Sequence, residues 1–293
     1  MRRGMWAMKE TLGLITQEDK EFYKENGYWV SPVLFGEDEI AELRRAHDRI
    51  WSFDYDGDGY PLEEWRPSNN PKMLRKIDNS WWINDAVRKT VTNPVLGRIA
   101  AGLMDSSGAR LWYDQVIYKP GTGTGEKDAL SPGNVGWHQD YIYWQCTDTP
   151  NLVTAWIALQ DTDLTNGCMS VVPGSHKWGL LEGSDAFFNR DLETVKNRIA
   201  RESGREWKEV PVTLKAGQAS FHHALTIHGS GQNHSADPRL SVVAHLMPDG
   251  MAYKKHGHHN VDNIRLLGPR PKEGQRYDNH YWPLLYAEHS HQD

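Results

Sequence analysis

The chain has 293 residues, with 33 Lys and Arg against 39 Asp and Glu and a formal net charge of -6. That balance argues against nucleic acid or an anionic membrane as a partner, since both recruit basic surfaces. Hydrophobic residues at 38% mark a globular chain, and no apolar run approaches the ~18 residues of a membrane span. In chain order, Thr16-Gln17-Glu18-Asp19 has the form of a capping box with Asp in the acidic place. It opens a helix that Gly27 closes. Residues 28–34 read as a strand. Gly36 precedes a second helix with Ile40, Leu43, His47 and Ile50 on one stripe. Asn93-Pro94 joins an N-cap to a proline at the first helical position. Val95, Leu96, Ile99 and Leu103 form the apolar face of the helix that follows.

From Arg110 the texture changes. Residues 111–118 alternate like a strand. Short β-like runs follow at 152–159, 168–172, 210–214, 219–227 and 239–247, separated by turn signals such as Thr165-Asn166-Gly167 and Pro173-Gly174. Residues 183–207 are polar and read as a helical insertion. Many short strands at this spacing predict a mainly β sandwich or barrel with flanking helices. No linker-like segment divides the chain. A single domain over 1–293 is therefore expected: helical to about 110, a β core over 111–250, and a C-terminal extension over 250–293. The first 14 residues lack the apolar core of a secretory signal, which makes a cytoplasmic location the expectation. Cys146 and Cys168 cannot build a disulfide framework and read as core fillers.

The chemistry starts at Trp137-His138-Gln139-Asp140. Residues two apart on a strand share a face, so His138 and Asp140 would present an imidazole and a carboxylate side by side. That is two-thirds of the 2-His-1-carboxylate triad of open-sided Fe(II) sites. Alone, the pattern is weak and equally describes a strand-edge histidine beside a solvated aspartate. The segment 221–233 offers His222, His223 and His228 as a second histidine. His222 and His228 share strand parity. His228 ends the alternating run before Gly229-Ser230-Gly231, where glycine lets backbone approach a ligand. Arg239 and Ser241 follow on one face of the next strand. A guanidinium there suits a carboxylate, which it can grip with two parallel hydrogen bonds.

Taken together, His138-x-Asp140, His228-Gly-Ser-Gly-x-Asn and Arg239-x-Ser241 resemble the phytanoyl-CoA dioxygenase family of Fe(II)/2-oxoglutarate-dependent oxygenases. Trp156-Ile-Ala-Leu with Asp161, Asn166-Gly-Cys-Met, Val172-Pro-Gly-Ser-His176-Lys and the early Phe22-Tyr-Lys-Glu-Asn-Gly27-Tyr extend the resemblance over 16–247. It implies a double-stranded β-helix, a cupin-like jelly roll, with the site at its mouth. It implies Fe(II) on His138, Asp140 and His228, with 2-oxoglutarate and O2 as cosubstrates. Arg239 would hold the 5-carboxylate, with Ser230 or Ser241 adding a hydroxyl. Trp144 and Trp156 resemble walls of that pocket, and Gln115 an extra contact. The implied reaction releases succinate and CO2. The carboxylate Asp140, which halogenating relatives lack, favours hydroxylation and leaves ring closure, desaturation and epoxidation open.

The expected partner is a small molecule. Trp81, Trp82, Trp112, Tyr113, Tyr141 and Tyr143 suggest a flat, partly apolar substrate such as a natural-product intermediate. Lys72, Arg75 and Lys76 read as a solvated basic face, His256, His258 and His259 as a solvated loop, and His176 as a structural residue behind the metal. The Gly- and Pro-rich loop 119–136, with Glu126, Lys127 and Asp128 at its tip, is expected to be a mobile lid. Two other readings compete. A cupin-like binding protein would hold metal without turnover and have no need of Arg239. A zinc-dependent hydrolase or isomerase would have no need of 2-oxoglutarate.

Overall fold

A computed structural model describes residues 14–56, 70–125, 128, 130–255 and 261–288, with backbone alone at 261 and 262. Glu126, Lys127, His256, His258 and His259 lie outside the described residues. The capping box forms as read. Asp19 N donates to Thr16 Oγ1 at 3.1 Å and Thr16 N to Asp19 Oδ2 at 2.8 Å, opening α1 (Gln17–Asn26). Gly27 closes it at φ 75°, where a Cβ would collide with His176 and Thr226. The following strand, β1 (Tyr28–Val30), is shorter than expected. Pro32, which has no N–H, lies just beyond it.

Helices α2 (Glu37–Trp51), α3 (Asp85–Val91) and α4 (Pro94–Met104) follow, with β2 (Arg75–Asp78) between the first two. The β core then runs through β3 (Gly108–Lys119), β4 (Val135–His138), β5 (Val153–Ala158), β6 (Met169–Val171), β7 (Val210–Pro211), β8 (Ala219–His223), β9 (His228–Ser230) and β10 (Arg239–Pro248). A seven-stranded sheet has the order β1-β8-β5-β10-β3, continued by β11 (Leu284–Ala287), with β2 also on β3. A four-stranded sheet has the order β4-β9-β6-β7. Their strand pairs are antiparallel, and this is the expected double-stranded β-helix with flanking helices. The C-terminal extension thus supplies an edge strand to the larger sheet.

Strand alternation divides the larger sheet into two faces. Val242, Ala244 and Leu246 of β10 join Val153, Ala155 and Ile157 of β5 in a core with Ile40, Leu43, Ile50, Leu96 and Ile99 of the helices. Each such fully buried aliphatic contributes about 1.5–3 kcal/mol. The alternate residues, among them Arg239, Val243 and His245, line a cavity between the two sheets. Most of the tryptophans build cores instead of a mouth. Trp112 packs against Tyr277 at 4.7 Å and Trp282 at 6.1 Å in a second core shared with Trp144 and Tyr253.

Two expectations change. The run 219–227 is not one strand: β8 ends at His223, and β9 begins at His228 in the other sheet. The insertion 183–207 is helical only over α5 (Leu192–Ser203), while the stretch before it crosses β4 as a strap. There Gly136 N donates to Phe187 O and Gln139 N to Ser184 O, both at 3.1 Å. The loop 119–136 is tethered beside the turn after β9. Thr122 N donates to Asn233 O at 3.0 Å, and the buried Lys119 ammonium reaches Gly133 O at 2.5 Å and Gly231 O at 2.6 Å. Val135 is its cavity-lining residue among those described.

Candidate metal centre

His138 and His228 face each other across neighbouring strands of the smaller sheet, with ring centroids 4.1 Å apart. Each ring is anchored by its own chain two residues back. His138 Nδ1 lies 2.8 Å from Gly136 O, and His228 Nδ1 lies 2.9 Å from Thr226 O. A carbonyl only accepts, so each Nδ1 carries the proton and each Nε2 presents a lone pair. This is the arrangement by which an outer partner orients a metal-binding imidazole. Asp140 Oδ1 lies 3.6 Å from His138 Nε2 and 3.7 Å from His228 Nε2. All three residues are buried, and their ligand atoms fall within 4.8 Å of one another. Two neutral nitrogens and one carboxylate oxygen are the donor set that suits Fe(II) with positions left open.

The pairing of His138 with Asp140 differs from the sequence expectation in one respect. The strand ends at His138, and Asp140 starts a short 3-10 turn, Asp140–Tyr143. Alternation carries one residue further because Gln139 stays extended, at φ -113° and ψ 129°. Gln139, passed over in the sequence, is fully buried and braces the motif. Its amide donates to Leu225 O at 2.7 Å and Gly179 O at 2.9 Å and accepts from Leu181 N at 2.9 Å. Gly229 serves strand pairing, since a Cβ there would press on Trp137 and on Val135 O at 3.1 Å.

The second oxygen of Asp140 turns to the larger sheet. Thr154 Oγ1 donates to Oδ2 at 2.7 Å, and His222 Nε2 lies 3.3 Å from it, outside hydrogen-bond alignment. Burial alone would raise the Asp140 carboxyl, but the imidazoles of His228, His138 and His222 outweigh it and hold it well below the ordinary carboxylate range. Burial pushes His228 the other way, well down. Thr154 and His245 were not legible as site residues. His222, one of the three candidate second histidines, shares strand parity with His228, but the two approach across the sandwich at 4.3 Å.

Arg239 lies on the cavity wall, 3% exposed, over the Trp156 ring at 5.0 Å. One of its terminal nitrogens bonds Gly167 O, and its Nε has no hydrogen-bond partner among the described residues. No carboxylate pairs with it among those residues. Burial pulls it down to about 10, which leaves it cationic at neutral pH. Ser230, Trp156 and Gln115 line the same cavity. Ser241 is fully buried two residues along from Arg239, its hydroxyl unpartnered among the described residues. Ser241 is not among the cavity-lining residues, and it is the buried cation Arg239, with no protein anion beside it, that suits a dicarboxylate.

Other expected residues sit elsewhere. Trp144 stands behind His245, 4.8 Å from its ring, rather than on the cavity wall. Trp82 packs on Tyr281 at 5.7 Å, and the Tyr141 hydroxyl donates to Thr147 O at 3.2 Å. Neither lines the cavity. Tyr113 backs His245 at 4.5 Å, and Tyr143 lies 6.4 Å from the His138 ring with its hydroxyl accepting from Phe187 N. Besides Trp156 and the histidines, the aromatic that lines the cavity is Phe187 of the strap, edge-on to His138 at 5.0 Å. Arg75 is no solvated residue: its guanidinium is 3.9 Å from the Tyr118 ring centroid and 4.7 Å from that of Trp51. His176 bonds Lys24 O at the end of α1, remote from the centre.

Known proteins resemble this chain in sequence and in fold. The sequence profile described as Phytanoyl-CoA dioxygenase (PhyH) matches residues 23–241. The peroxisomal phytanoyl-CoA dioxygenase of Mus musculus is 25% identical over 241 residues, covering 80% of this chain and 68% of that one. Among solved structures, the non-heme alpha ketoglutarate dependent carbocyclase SnoK from nogalamycin biosynthesis superposes with a TM-score of 0.69. It is 22% identical and covers 92% of this chain and 96% of its own. The epimerase SnoN, solved with Fe3+, alpha ketoglutarate and nogalamycin RO, gives a TM-score of 0.69 at 25% identity, covering 92% of this chain and 98% of its own. The family profile spans both histidine-bearing segments and Arg239, and the chain belongs to the phytanoyl-CoA dioxygenase family of iron- and 2-oxoglutarate-dependent oxygenases.

Proposed function

We propose that this protein hydroxylates a C–H bond of a small organic molecule, a natural-product intermediate by class, with residues 1–293 acting as one oxygenase domain. The observation that carries the reading is a cavity with the His138, Asp140 and His228 cluster at one end and the unpaired Arg239 in its wall. Iron with 2-oxoglutarate and O2 supplies the oxidation of the C–H bond, coupled to release of succinate and CO2. The chain's own residues bind and orient. His138 Nε2, His228 Nε2 and Asp140 Oδ1 would hold the iron. Arg239 grips the 5-carboxylate of 2-oxoglutarate through charge-assisted bonds, with the hydroxyls of Ser230 and Ser241 as further donors. Trp156 forms the floor beneath Arg239, and Gln115 offers an amide to the same cavity. Phe187 excludes water from the side of His138.

A second reading has the same C–H cleavage end in ring closure, desaturation or epoxidation, and the likeness to SnoK, a carbocyclase by name, favours ring closure among these. Anaerobic protein with Fe(II) and 2-oxoglutarate should develop the weak visible band of the metal chelate. Protein that binds metal but never gives this band is a cupin-like binder or a zinc enzyme. A mass-spectrometric screen of candidate metabolites then separates the reactions. A product one oxygen atom heavier, formed with stoichiometric succinate and carrying a new exchangeable hydrogen that an epoxide lacks, is the expected result. A product two hydrogen atoms lighter overturns hydroxylation in favour of desaturation or ring closure.

A further inference from the structure

The larger sheet turns one register row of polar side chains toward the metal centre. Tyr113, His245, Thr154 and His222 stand side by side on β3, β10, β5 and β8. Asp140 reaches this row from across the sandwich. Thr154 Oγ1 lies 2.7 Å from Asp140 Oδ2 and 2.8 Å from His245 Nδ1. A threonine hydroxyl has one proton, and an ionised carboxylate has none to give. The Thr154 proton must go to Asp140, or two lone pairs would face each other. Thr154 then accepts from His245, so His245 Nδ1 carries a proton. Burial pushes His245 down to about 3, which keeps the ring neutral. In a neutral imidazole with Nδ1 protonated, Nε2 is an acceptor.

That acceptor has no donor. His245 is 3% exposed and lines the same cavity as Arg239, and its Nε2 has no hydrogen-bond partner among the described residues. The ring is held in place. Tyr113 lies against it at 4.5 Å and Trp144 edge-on at 4.8 Å, while Trp144 Nε1 donates to the Tyr113 hydroxyl at 3.0 Å. A buried acceptor left unpaired is costly, so a donor is expected to meet it in the working complex. The cosubstrate cannot be that donor, because 2-oxoglutarate at neutral pH has only acceptors. An ordered water can fill the place until substrate arrives.

We propose that His245 determines specificity by accepting a hydrogen bond from an O–H or N–H group of the substrate, placing alcohols, phenols and amides ahead of plain hydrocarbons and carboxylates. This rests on the reading of the protein as a 2-oxoglutarate-dependent oxygenase. Thr154 is the positioning residue: it joins the recognition of that group to the carboxylate that holds iron.

The test uses the anaerobic Fe(II) and 2-oxoglutarate complex of the full chain. The probes are monocyclic and bicyclic alcohols, phenols and lactams, each paired with its O- or N-methylated form. Binding is read as a shift of the visible chelate band. Wild-type protein should respond to the donor-bearing members at concentrations roughly tenfold lower than to their methylated partners, a difference of ~1.4 kcal/mol. His245→Asn, whose amide can still donate to Thr154 but lacks an atom at the Nε2 position, should lose that preference with iron loading and 2-oxoglutarate affinity intact. His245→Gln, whose amide oxygen extends to the Nε2 position, should recover part of it. A panel in which wild-type prefers no donor-bearing member overturns the proposal, as does a preference that survives in His245→Asn. Nitrogen-15 NMR of zinc-loaded, histidine-labelled protein gives an arm that needs no probe. His245 should appear as the Nδ1–H tautomer, and an Nε2–H form or an imidazolium overturns the assignment. Absence of the chelate band from wild-type protein before any probe is added fails the oxygenase reading itself, and this proposal with it.

Discussion

The two walls of the cavity are finished to different degrees. On the smaller sheet, His138 and His228 each satisfy Nδ1 with a carbonyl two residues earlier in their own chain, leaving only the ligating nitrogens free. On the larger sheet, Arg239 Nε, Ser241 Oγ, Ser220 Oγ and His245 Nε2 are buried without partners among the described residues. Buried polar groups in native proteins are nearly always paired, and of these four Arg239 and His245 line the cavity, where a bound molecule could meet them. Under the proposed function the first wall would hold a resident metal, and the second would receive 2-oxoglutarate and substrate, whose polar groups would meet what the protein leaves unpaired. Asp140 joins the walls, with one oxygen toward the histidines and the other held by Thr154.

The largest effect expected is on the first wall. His138→Ala, Asp140→Ala and His228→Ala should each abolish stoichiometric iron binding, measured by metal analysis after anaerobic loading and desalting. His222→Ala and His223→Ala should keep iron, because His222 lies beside Asp140 Oδ2 rather than Oδ1 and His223 Nδ1 already accepts from Leu225 N. Full iron in His228→Ala would break the comparison at its root.

An intermediate effect belongs to the second wall. Hydrogen bonds to a charged group contribute about 1.5–3 kcal/mol each. Arg239→Ala should therefore raise the 2-oxoglutarate concentration for half-maximal chelate absorbance by at least about tenfold, with iron binding unchanged. A parallel loss of iron would show that the two walls do not work separately.

The smallest effect lies on the far face of the larger sheet and serves as the contrast. Asp114 is fully buried with its oxygens satisfied by Ser80 Oγ and Trp81 N, and burial pushes its carboxyl up to about 7. The native state thus keeps a proton that the unfolded chain, with a carboxylate pKa of ~3.9, has already lost. Its stability contribution is complete below that lower value and declines as pH rises through about 7. Asp114→Asn should flatten this part of the melting-temperature profile and gain most over wild type at mildly alkaline pH. Iron and 2-oxoglutarate affinity should not move. A profile that keeps the wild-type slope would remove Asp114 as its source.

What the sequence by itself determined is what local physics writes into neighbouring residues. The Thr16–Asp19 cap, the Ile40–Ile50 stripe, the Asn93-Pro94 start and the facing of His138 with Asp140 depend on a turn of helix or a pleat of strand. Motif order added His228 and Arg239, which the fold brings to one cavity. Only the tertiary structure decided which sheet each histidine joins, because parity is equally satisfied by one continuous strand or by two strands in different sheets. It also decided the fate of the aromatics. Trp82, Trp112 and Tyr141 read as a mouth by proximity in sequence, yet they pack with the C-terminal segment, whose docking no local pattern announces. Thr154 and His245 lie 91 residues apart, and their hydrogen bond exists because β5 and β10 pair in one register. A shift of one residue between the two strands would turn one of these side chains to the helical face, and a register between distant strands is set by the packing of the whole sheet.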